Sequence, residues 1–446
     1  MEKWDVLLLT AGSEKQKQDF ELILSKEDLT SYCKKALVIA DYPAEVRIGS
    51  GGATLNVLST LRQLVDKKIL LVHSGGLSQR VPHLSALGKI FATLPDGSTI
   101  LEKKLISYKH LPSILPPGML VSASDVAEDV SKFEKCDSPE MIVSATESSL
   151  EEAKDRGVLA LDSDGKLKTV LQKPTLELIK DSGAVLPSGN ALSYCFYWLS
   201  WSICEQLAAL WRDRGPCKVE TCWGDFMQPL GYAPSLDYLN EEIFSKTKPQ
   251  VVNLGIDSYF HLGTPQELMA HCRRESTFAR KFLPLFLQSV YCSLEDCSIG
   301  SGSLVEYCKL KDANIGEECI INGCESTKLI QIRNKTMVFT LCIKDNGGRF
   351  YTTVFLRTDD DVKEKKEKLF WMGRETSETN VSLWQTNLFP VEQTREMSLQ
   401  TTLKMLEGAE FDGQKISIGG AVAKSDLEEM ISFRQSLKHQ PPTSSP

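Results

Sequence analysis

Two glycines, an arginine and a lysine follow an apolar run near residue 70. The run KILLVHS is typical of a buried strand, and SGGLSQRVPHLSALGK overlaps its end. Gly75 and Gly76 let the backbone approach a polyphosphate and direct N–H groups at it. Arg80 supplies a planar guanidinium group that can donate two hydrogen bonds to phosphate oxygens, and Lys89 supplies a compact positive charge. The predicted nucleotide-binding residues of this turn are Gly75, Gly76, Ser78 and Gln79.

The spacing differs from a Walker A loop, because the chain contains no GxxxxGK[ST]. The alternative interpretation of the segment is a structural glycine turn with two surface cations.

A second glycine segment, VRIGSGGATLNVL, lies upstream. Gly49, Gly51 and Gly52 precede Thr54 and a helical run, and Thr54 stands where a dinucleotide fingerprint has its third glycine. A helix that begins after glycines presents N–H groups to an anion or a base edge. We therefore predict that these four residues contact a nucleotide. A structural turn is the alternative.

These segments resemble the signature of the sugar-nucleotide pyrophosphorylases, which is a Gly-rich turn, then Arg, then a Pro-containing stretch and Lys. The finer pattern is similar to the fucose-1-phosphate guanylyltransferase family and to the pyrophosphorylase half of bifunctional fucokinase proteins. Further matching segments are WGDFMQPLG, DSYFHLGTPQELM and SLWQTNLFPV. The resemblance covers nearly the whole chain, and with no room for an added kinase domain we expect the free-standing enzyme.

The resemblance implies a reaction between GTP and L-fucose 1-phosphate that yields GDP-L-fucose and pyrophosphate. In the family the loop binds the triphosphate, and its Arg and Lys neutralise the departing pyrophosphate. Asp125, at the end of MLVSASD, then corresponds to a Mg²⁺ ligand that bridges the two substrates. One or two carboxylates with substrate phosphates suffice for Mg²⁺. The alternative for Asp125 is a helix cap.

Other residues are expected to hold the sugar phosphate. Lys173 stands in the Lys-Pro pair that performs this task in related pyrophosphorylases. Asn190 offers an amide to sugar hydroxyls, with Tyr194 or Tyr197 stacking on the sugar; the alternative for these tyrosines is a place in the core. Asp225 is a candidate second metal ligand. His261 departs from the wider family, which has Asp two residues before this Gly-Thr pair, and His is a poorer Mg²⁺ ligand. We therefore expect Asp225 to replace it, or Asp125 to bind the metal alone.

The expected mechanism needs no general base. The nucleophile is an oxygen of the sugar 1-phosphate, whose second pKa is about 6. Positioning and charge neutralisation would then drive in-line attack on the α-phosphorus of GTP. The open alternatives are a sugar kinase, a pyrophosphorylase for another sugar or nucleotide, and a non-catalytic nucleotide-sugar-binding protein.

The elements that position these residues form an α/β domain over residues 1–284. Apolar runs alternate with amphipathic segments, and such runs suit strands that are buried on both faces. We predict a Rossmann-like nucleotidyltransferase domain with a mostly parallel mixed sheet and ligands beyond the carboxyl ends of its strands. The predicted strands are WDVLLLT, KILLVHS, GMLVSAS, EMIVSAT, GVLALD and AVLPSGN.

A different pattern begins near residue 285. Aliphatic residues recur every five or six positions, which indicates a left-handed parallel β-helix in a C-terminal domain, residues 285–435, with added strands and helices. An antiparallel sheet of short strands is the alternative. Residues 436–446 are predicted to be a disordered tail. The recurring aliphatics are Leu294, Ile299, Leu304, Leu310, Ile315 and Ile320.

Bulk composition excludes some classes of protein. The net charge of −8 argues against a nucleic-acid binder, and no apolar stretch approaches the length of a membrane span. The 13 cysteines lack CxxC spacing, so we expect reduced core thiols and a cytoplasmic location. A homo-oligomer formed through the C-terminal domain is left open.

Overall fold

The computed structural model describes residues 2–44, 46–61, 65–136, 139–214, 221–234, 241–345 and 347–438. The chain divides into two compact units. The sheet unit contains residues 1–76 and 101–260, and the coil unit contains residues 77–100 and 261–446. No helix among the described residues combines the length and apolar character needed to cross a bilayer.

The strands in chain order are β1 (Trp4–Ala11), β2 (Cys33–Ala40), β3 (Lys68–His73), β4 (Gly118–Ala123), β5 (Val126–Glu128), β6 (Met141–Ser148), β7 (Gly157–Leu161), β8 (Leu167–Gln172), β9 (Ala191–Ser200), β10 (Pro249–Ile256), β11 (Tyr259–His261), β12 (Ser289–Val290), β13 (Ser293–Glu295), β14 (Ser298–Ile299), β15 (Leu304–Glu306), β16 (Lys309–Lys311), β17 (Ala313–Ile315), β18 (Ile320–Asn322), β19 (Glu325–Ser326), β20 (Ile330–Ile332), β21 (Thr336–Asp345), β22 (Gly348–Arg357), β23 (Phe370–Trp371), β24 (Arg374–Glu375), β25 (Phe389–Glu392) and β26 (Lys415–Ile416).

The helices are α1 (Glu14–Leu24), α2 (Gly49–Thr60), α3 (Ile100–Ser107), α4 (Leu150–Ala153), α5 (Leu176–Asp181), α6 (Trp201–Arg214), α7 (Glu241–Phe244), α8 (Pro265–His271), α9 (Thr277–Phe282), α10 (Arg395–Glu407), α11 (Ile418–Ala423) and α12 (Leu427–Lys438). Side-chain caps stabilise the first residues of several helices, because a hydroxyl oxygen accepts a hydrogen bond from an otherwise unpaired N–H of the first turn. Ser13 caps α1 and Thr264 caps α8 in this way.

The sheet unit is built on one mixed sheet with the strand order β10-β6-β9-β4-β3-β1-β2, and β7 and β8 join it beside β9. Strands β2, β1, β3 and β4 run parallel to one another. Strand β9 runs antiparallel to both β4 and β6, and β6 is parallel to β10. The α/β class and the mixed sheet are therefore as predicted.

Two details of the predicted sheet are wrong. Within this sheet four of the described strand pairings are parallel and four are antiparallel, because β9 returns between two strands of the opposite direction and β7 pairs antiparallel with β8 and β9. Residues 184–190 do not form a strand but a turn closed by Leu186 N donating to Asn190 O. The Pro187–Gly189 stretch outweighs the apolar run before it.

Three sets of short parallel strands open the C-terminal part of the coil unit. The sheets are β12-β15-β18, β13-β16-β19 and β14-β17-β20, and β18 also pairs in parallel with β21. Sixteen residues separate partners such as Ile299 and Ile315, or Leu304 and Ile320. Each sheet contains two of the aliphatic residues named from the sequence. Those on β16, β17 and β18, which are Leu310, Ile315 and Ile320, are buried. The antiparallel alternative is wrong for these strands.

Antiparallel strands complete the coil unit. Strands β21 and β22 form a long hairpin, and β25 and β26 extend its sheet. Gly408 caps the end of helix α10 with φ of 110°, the left-handed conformation in which glycine is favoured. Nine of the twelve described cysteines are buried, in agreement with their predicted place in the core.

The two units divide the chain differently from the predicted boundary at residue 285. Residues 77–100 and 261–284 belong to the coil unit. As functional domains, residues 1–284 and 285–435 stay a prediction. The predicted disorder of the tail is wrong for residues 436–438, which form the end of α12. Residues 439–446 lie outside the described residues.

Ile315→Asp tests the coil packing. Ile315 is buried against Ile299 and Ile332 of the neighbouring coils, so a carboxylate there would be unpaired in a dry interior. We expect a loss of several kcal/mol in the free energy of unfolding, measured by urea denaturation. Asn314→Asp is the matched control, because this exposed neighbour lies on the same strand. Equal stability of the two variants would contradict the packing.

Candidate functional site

The carboxyl ends of β1 and β3 meet where the strand order reverses. The chain passes from β1 to β2 on one side and then returns to β3 on the other side of β1. Such a switch point opens a crevice in which α/β sheets bind ligands. The turns that follow these two strands contain Gly12 and the predicted Gly75–Gly76 pair.

The two turns touch through their backbones. A Cβ on Gly75 would lie 3.0 Å from Gly12 N, and a Cβ on Gly12 would lie 3.0 Å from Gly76 N. Gln16 joins them, because Gly12 N donates to its Oε1 at 2.7 Å and its Nε2 donates to Gly76 O at 2.9 Å. Gly76 has φ of 107° and open space beside it, so its conformation favours glycine.

Thr10 holds the start of the second turn. Its Oγ1 accepts from Ser74 N at 3.1 Å and from Gly75 N at 3.2 Å. The same oxygen lies 3.5 Å from His73 Nδ1, and Thr54 Oγ1 lies 2.9 Å from His73 Nε2. Burial lowers the pKa of His73 to about 4, so this ring is neutral at pH 7. Sequence reasoning missed Thr10 and His73, which resemble ordinary strand residues.

The predicted glycine loop at residue 49 is the first turn of α2. Helix α2 begins at Gly49, and the preceding Ile48 provides no side-chain cap. Gly51 and Gly52 are buried, and Thr54 is completely buried with its hydroxyl also bonded to Ser50 O. The side chain of Thr54 therefore supports His73 inside the protein.

Asp125 lies in the turn between β4 and β5 and is half-buried. Ser124 N donates to His73 O at 3.2 Å, which ties this turn to the one after β3. The structure thus brings Asp125 and the Gly75 turn to the same edge of the sheet. Asp225 lies in a separate turn, where its Oδ2 accepts Thr221 N at 2.7 Å. That turn joins α2, because Cys222 N donates to Ser50 Oγ at 2.9 Å.

A buried ion pair underlies the Asp125 turn. Lys104 Nζ lies 2.7 Å from Glu128 Oε2 and 2.7 Å from Ser122 Oγ, and both charged side chains are fully buried. Burial lowers the pKa of Lys104, while Glu128 opposes that shift and Asp125 adds a weaker opposing field. Ser122 and Glu128 flank the turn in the sequence. Sequence reasoning missed the pair because both residues lie in charged segments that appear solvent-exposed.

The predicted sugar-phosphate residues of the sheet unit lie on turns. Lys173 follows β8, is exposed and has φ of 47°, with its N–H donated to Arg156 O at 2.9 Å. Asn190 is half-buried immediately before β9. Tyr194 and Tyr197 are buried residues of β9, in agreement with the core alternative.

The remaining predicted residues belong to the coil unit. Arg80 is exposed, in a turn where Val81 N donates to Ser78 O and Ser78 has φ of 49°. Gln79 lies in the same turn, half-buried. Lys89 Nζ donates to Gly263 O at 3.1 Å.

His261 is held by an acidic partner. Its Nδ1 lies 2.8 Å from Glu267 Oε1, and Thr264 Oγ1 donates to Glu267 Oε2 at 2.9 Å. Burial would raise the pKa of Glu267, yet the bonds from His261 and Thr264 keep it below its usual range. Within the described ranges, no group of three or more His, Cys, Asp or Glu side chains is placed to hold a metal ion.

The family model for the fucose pyrophosphorylase domain matches residues 62–394. The chain belongs to this family. It is 28% identical to fucose-1-phosphate guanylyltransferase from Mus musculus, with 98% of this chain and 93% of the relative aligned. It is also 26% identical to bifunctional fucokinase/GDP-fucose pyrophosphorylase from Arabidopsis thaliana, over 42% of this chain and 22% of that protein.

Among solved structures, HddC from Yersinia pseudotuberculosis aligns with a TM-score of 0.29 and 12% identity, covering 60% of this chain and 77% of that one.

Thr10→Val tests how this fucose pyrophosphorylase family member holds its glycine turn. Valine keeps the shape of threonine but leaves the buried Ser74 N without its acceptor, so we expect a loss of about 1–3 kcal/mol in unfolding free energy. Urea denaturation measures this loss. Thr10→Ser keeps the hydroxyl and is the control. A Thr10→Val variant as stable as Thr10→Ser would show that the hydroxyl does not hold the turn.

Proposed function

We propose that the protein is a fucose-1-phosphate guanylyltransferase that converts GTP and L-fucose 1-phosphate into GDP-L-fucose and pyrophosphate, for the salvage of free L-fucose. The observation that carries this proposal is the alignment over 98% of the chain with the mouse protein of that name. Membership in the fucose pyrophosphorylase family also supports it. The glycine turn at the switch point of the sheet agrees with a nucleotide substrate.

The proposed chemistry is in-line attack by a phosphate oxygen of the sugar phosphate on the α-phosphorus of GTP. This oxygen is already ionised at pH 7, since the second pKa of a phosphate monoester is about 6. The protein therefore has to align the substrates and offset charge rather than remove a proton. The bond from the α-phosphorus to the bridging oxygen breaks, and pyrophosphate leaves with both electrons of that bond.

We assign the triphosphate to the Gly75–Gly76 turn, with Ser78 and Gln79 as further contacts. The exposed guanidinium of Arg80 and the ammonium of Lys89 would offset the charge that develops on pyrophosphate. The first turn of α2 with Gly49, Gly51 and Gly52 offers N–H groups to the nucleotide, because no side chain caps it. Thr54 then acts through His73 and not by direct contact.

Asp125 would hold Mg²⁺ together with substrate phosphates. Its half-buried carboxylate beside the Gly75 turn suits this hard cation, which needs few protein ligands. Bound Mg²⁺ would supply positive charge to the phosphate oxygens. Asp225 is the weaker candidate, because one of its oxygens already accepts the Thr221 N–H. Lys173, Asn190, Asp225 and His261 are proposed to hold the sugar phosphate.

We further propose that residues 289–332 form a short left-handed β-helix, supported by the 16-residue parallel pairing of the coils. The mostly buried cysteines support a cytoplasmic location, where thiols stay reduced. A homo-oligomer through this part of the chain stays a prediction.

A screen of GTP, UTP and ATP against several sugar 1-phosphates and free fucose tests the function. We expect pyrophosphate to be released fastest from GTP with L-fucose 1-phosphate, only with Mg²⁺, and Asp125→Asn to need more Mg²⁺. Release of nucleoside diphosphate with free fucose would identify a kinase instead. Another preferred pair would change the substrate assignment, and absence of any product would favour a binding protein.

Arg80→Ala and Lys89→Ala test the charge roles. Each should lower kcat by two or more decades, on the order of 3 kcal/mol, as when a preorganised electrostatic partner is removed. Lys363→Ala, at an exposed lysine outside the site, is the control and should keep normal turnover. Thermal unfolding is measured alongside, since Lys89→Ala also removes the bond to Gly263 O. Near-normal kcat in both variants would remove these cations from the mechanism.

A further inference from the structure

Asp41 lies at the carboxyl end of β2, next to the switch point of the sheet. The register pairs Ala11 with Ala40, and Asp41 N donates to Ala11 O at 2.8 Å. Asn56 of α2 also anchors this end, because its Nδ2 donates to Ala40 O at 2.9 Å. Asp41 therefore follows β2 beside Gly12, on the same edge of the sheet as the Gly75 turn.

The carboxylate of Asp41 lacks a protein partner among the described residues. No hydrogen-bond donor or cation of these parts of the chain contacts it, although the residue is half-buried. Burial alone raises the pKa of Asp41 to about 6. A partly desolvated carboxylate without donors is costly, and two N–H groups from a ligand would relieve this cost.

An exposed aromatic ring follows directly. The side chain of Tyr42 is 65% exposed, immediately after the carboxylate. A single exposed aromatic needs no explanation. Next to an unsatisfied carboxylate, however, it completes the pair of features that recognises a nucleobase, which is a flat surface for the ring and acceptors for its edge.

We propose that Asp41 recognises the guanine base of the nucleotide and that Tyr42 stacks on the guanine ring. The carboxylate of Asp41 would accept hydrogen bonds from N1–H and from the N2 amino group. This inference rests on the proposed guanylyltransferase function. Guanine is the base that presents two adjacent donors on its pairing edge, which match the two oxygens of one carboxylate. Adenine and cytosine place a ring acceptor there, and uracil flanks its N–H with carbonyl oxygens.

The position along the sheet agrees with this assignment. Strand β2 lies two strands from β3, so Asp41 is about 10 Å along the sheet edge from the phosphate turn. A negative side chain would repel phosphates and must face the nucleoside end. The ribose directly follows the α-phosphate, and the base lies beyond it.

Calorimetric titration of the full chain with GTP, ITP and 2′-deoxyGTP, with Mg²⁺ and without sugar phosphate, tests the proposal. ITP lacks the N2 amino group. The wild-type protein should bind ITP about ten- to a hundredfold more weakly than GTP, as expected for one lost bond to a charged acceptor. Asp41→Asn should weaken GTP binding by a similar factor and make GTP and ITP nearly equal.

The control is Asp66→Asn, the same change at an exposed residue before the amino end of β3, which should bind like wild type. An Asp41→Asn variant that keeps the GTP preference over ITP would overturn the proposal. The proposal would also be overturned if Asp41→Asn lost only the preference for GTP over 2′-deoxyGTP, because Asp41 would then contact the ribose. Pyrophosphate release by the same samples tests the guanylyltransferase function separately from the role of Asp41. If the enzyme is active but Asp41→Asn still prefers GTP to ITP, only the assignment of Asp41 to the base is refuted.

Discussion

The close approach of Gly12 and Gly75 is the constraint on which the proposed phosphate-binding edge of the sheet depends. Two turns whose glycines, Gly12 and Gly75, are 63 positions apart in the sequence meet with so little space that a Cβ on either glycine would press on the backbone of the other turn. Thr10 and Gln16 then fix the meeting through hydrogen bonds to three backbone N–H groups and one carbonyl. The open side of Gly76 is left for a ligand.

The interior beneath this edge is polar but paired. His73 is neutral between two threonine hydroxyls, and Lys104 is matched with Glu128 in a fully buried ion pair. Such a pair adds little net stability compared with apolar packing, but removing one partner would leave a buried charge. It therefore resists changes in the position of the β4–β5 turn that contains Asp125. By contrast, Arg80 and Lys173 are exposed, which agrees with their proposed contact with phosphate groups.

Much of this arrangement could be predicted from the sequence. Buried aliphatic runs such as LLVHS mark strands, and glycines at their ends mark turns, because these signals are local. The direction of β9 could not be predicted, since a strand buried on both faces has the same pattern whichever way it runs. Thr54 was predicted to face a nucleotide, but helix α2 starts five residues earlier and turns it into the core. Contacts such as Lys104 with Glu128 depend on tertiary packing and leave no signal in the spacing of residues.

We propose that nucleotidyl transfer occurs at the α-phosphorus of GTP. The most direct measurement follows radioactive phosphorus from GTP labelled at either the α or the γ position, incubated with L-fucose 1-phosphate. We predict that the α label appears in the nucleotide sugar and the γ label in pyrophosphate. Transfer of the γ label to the sugar, or recovery of both labels in unchanged GTP, would contradict the account.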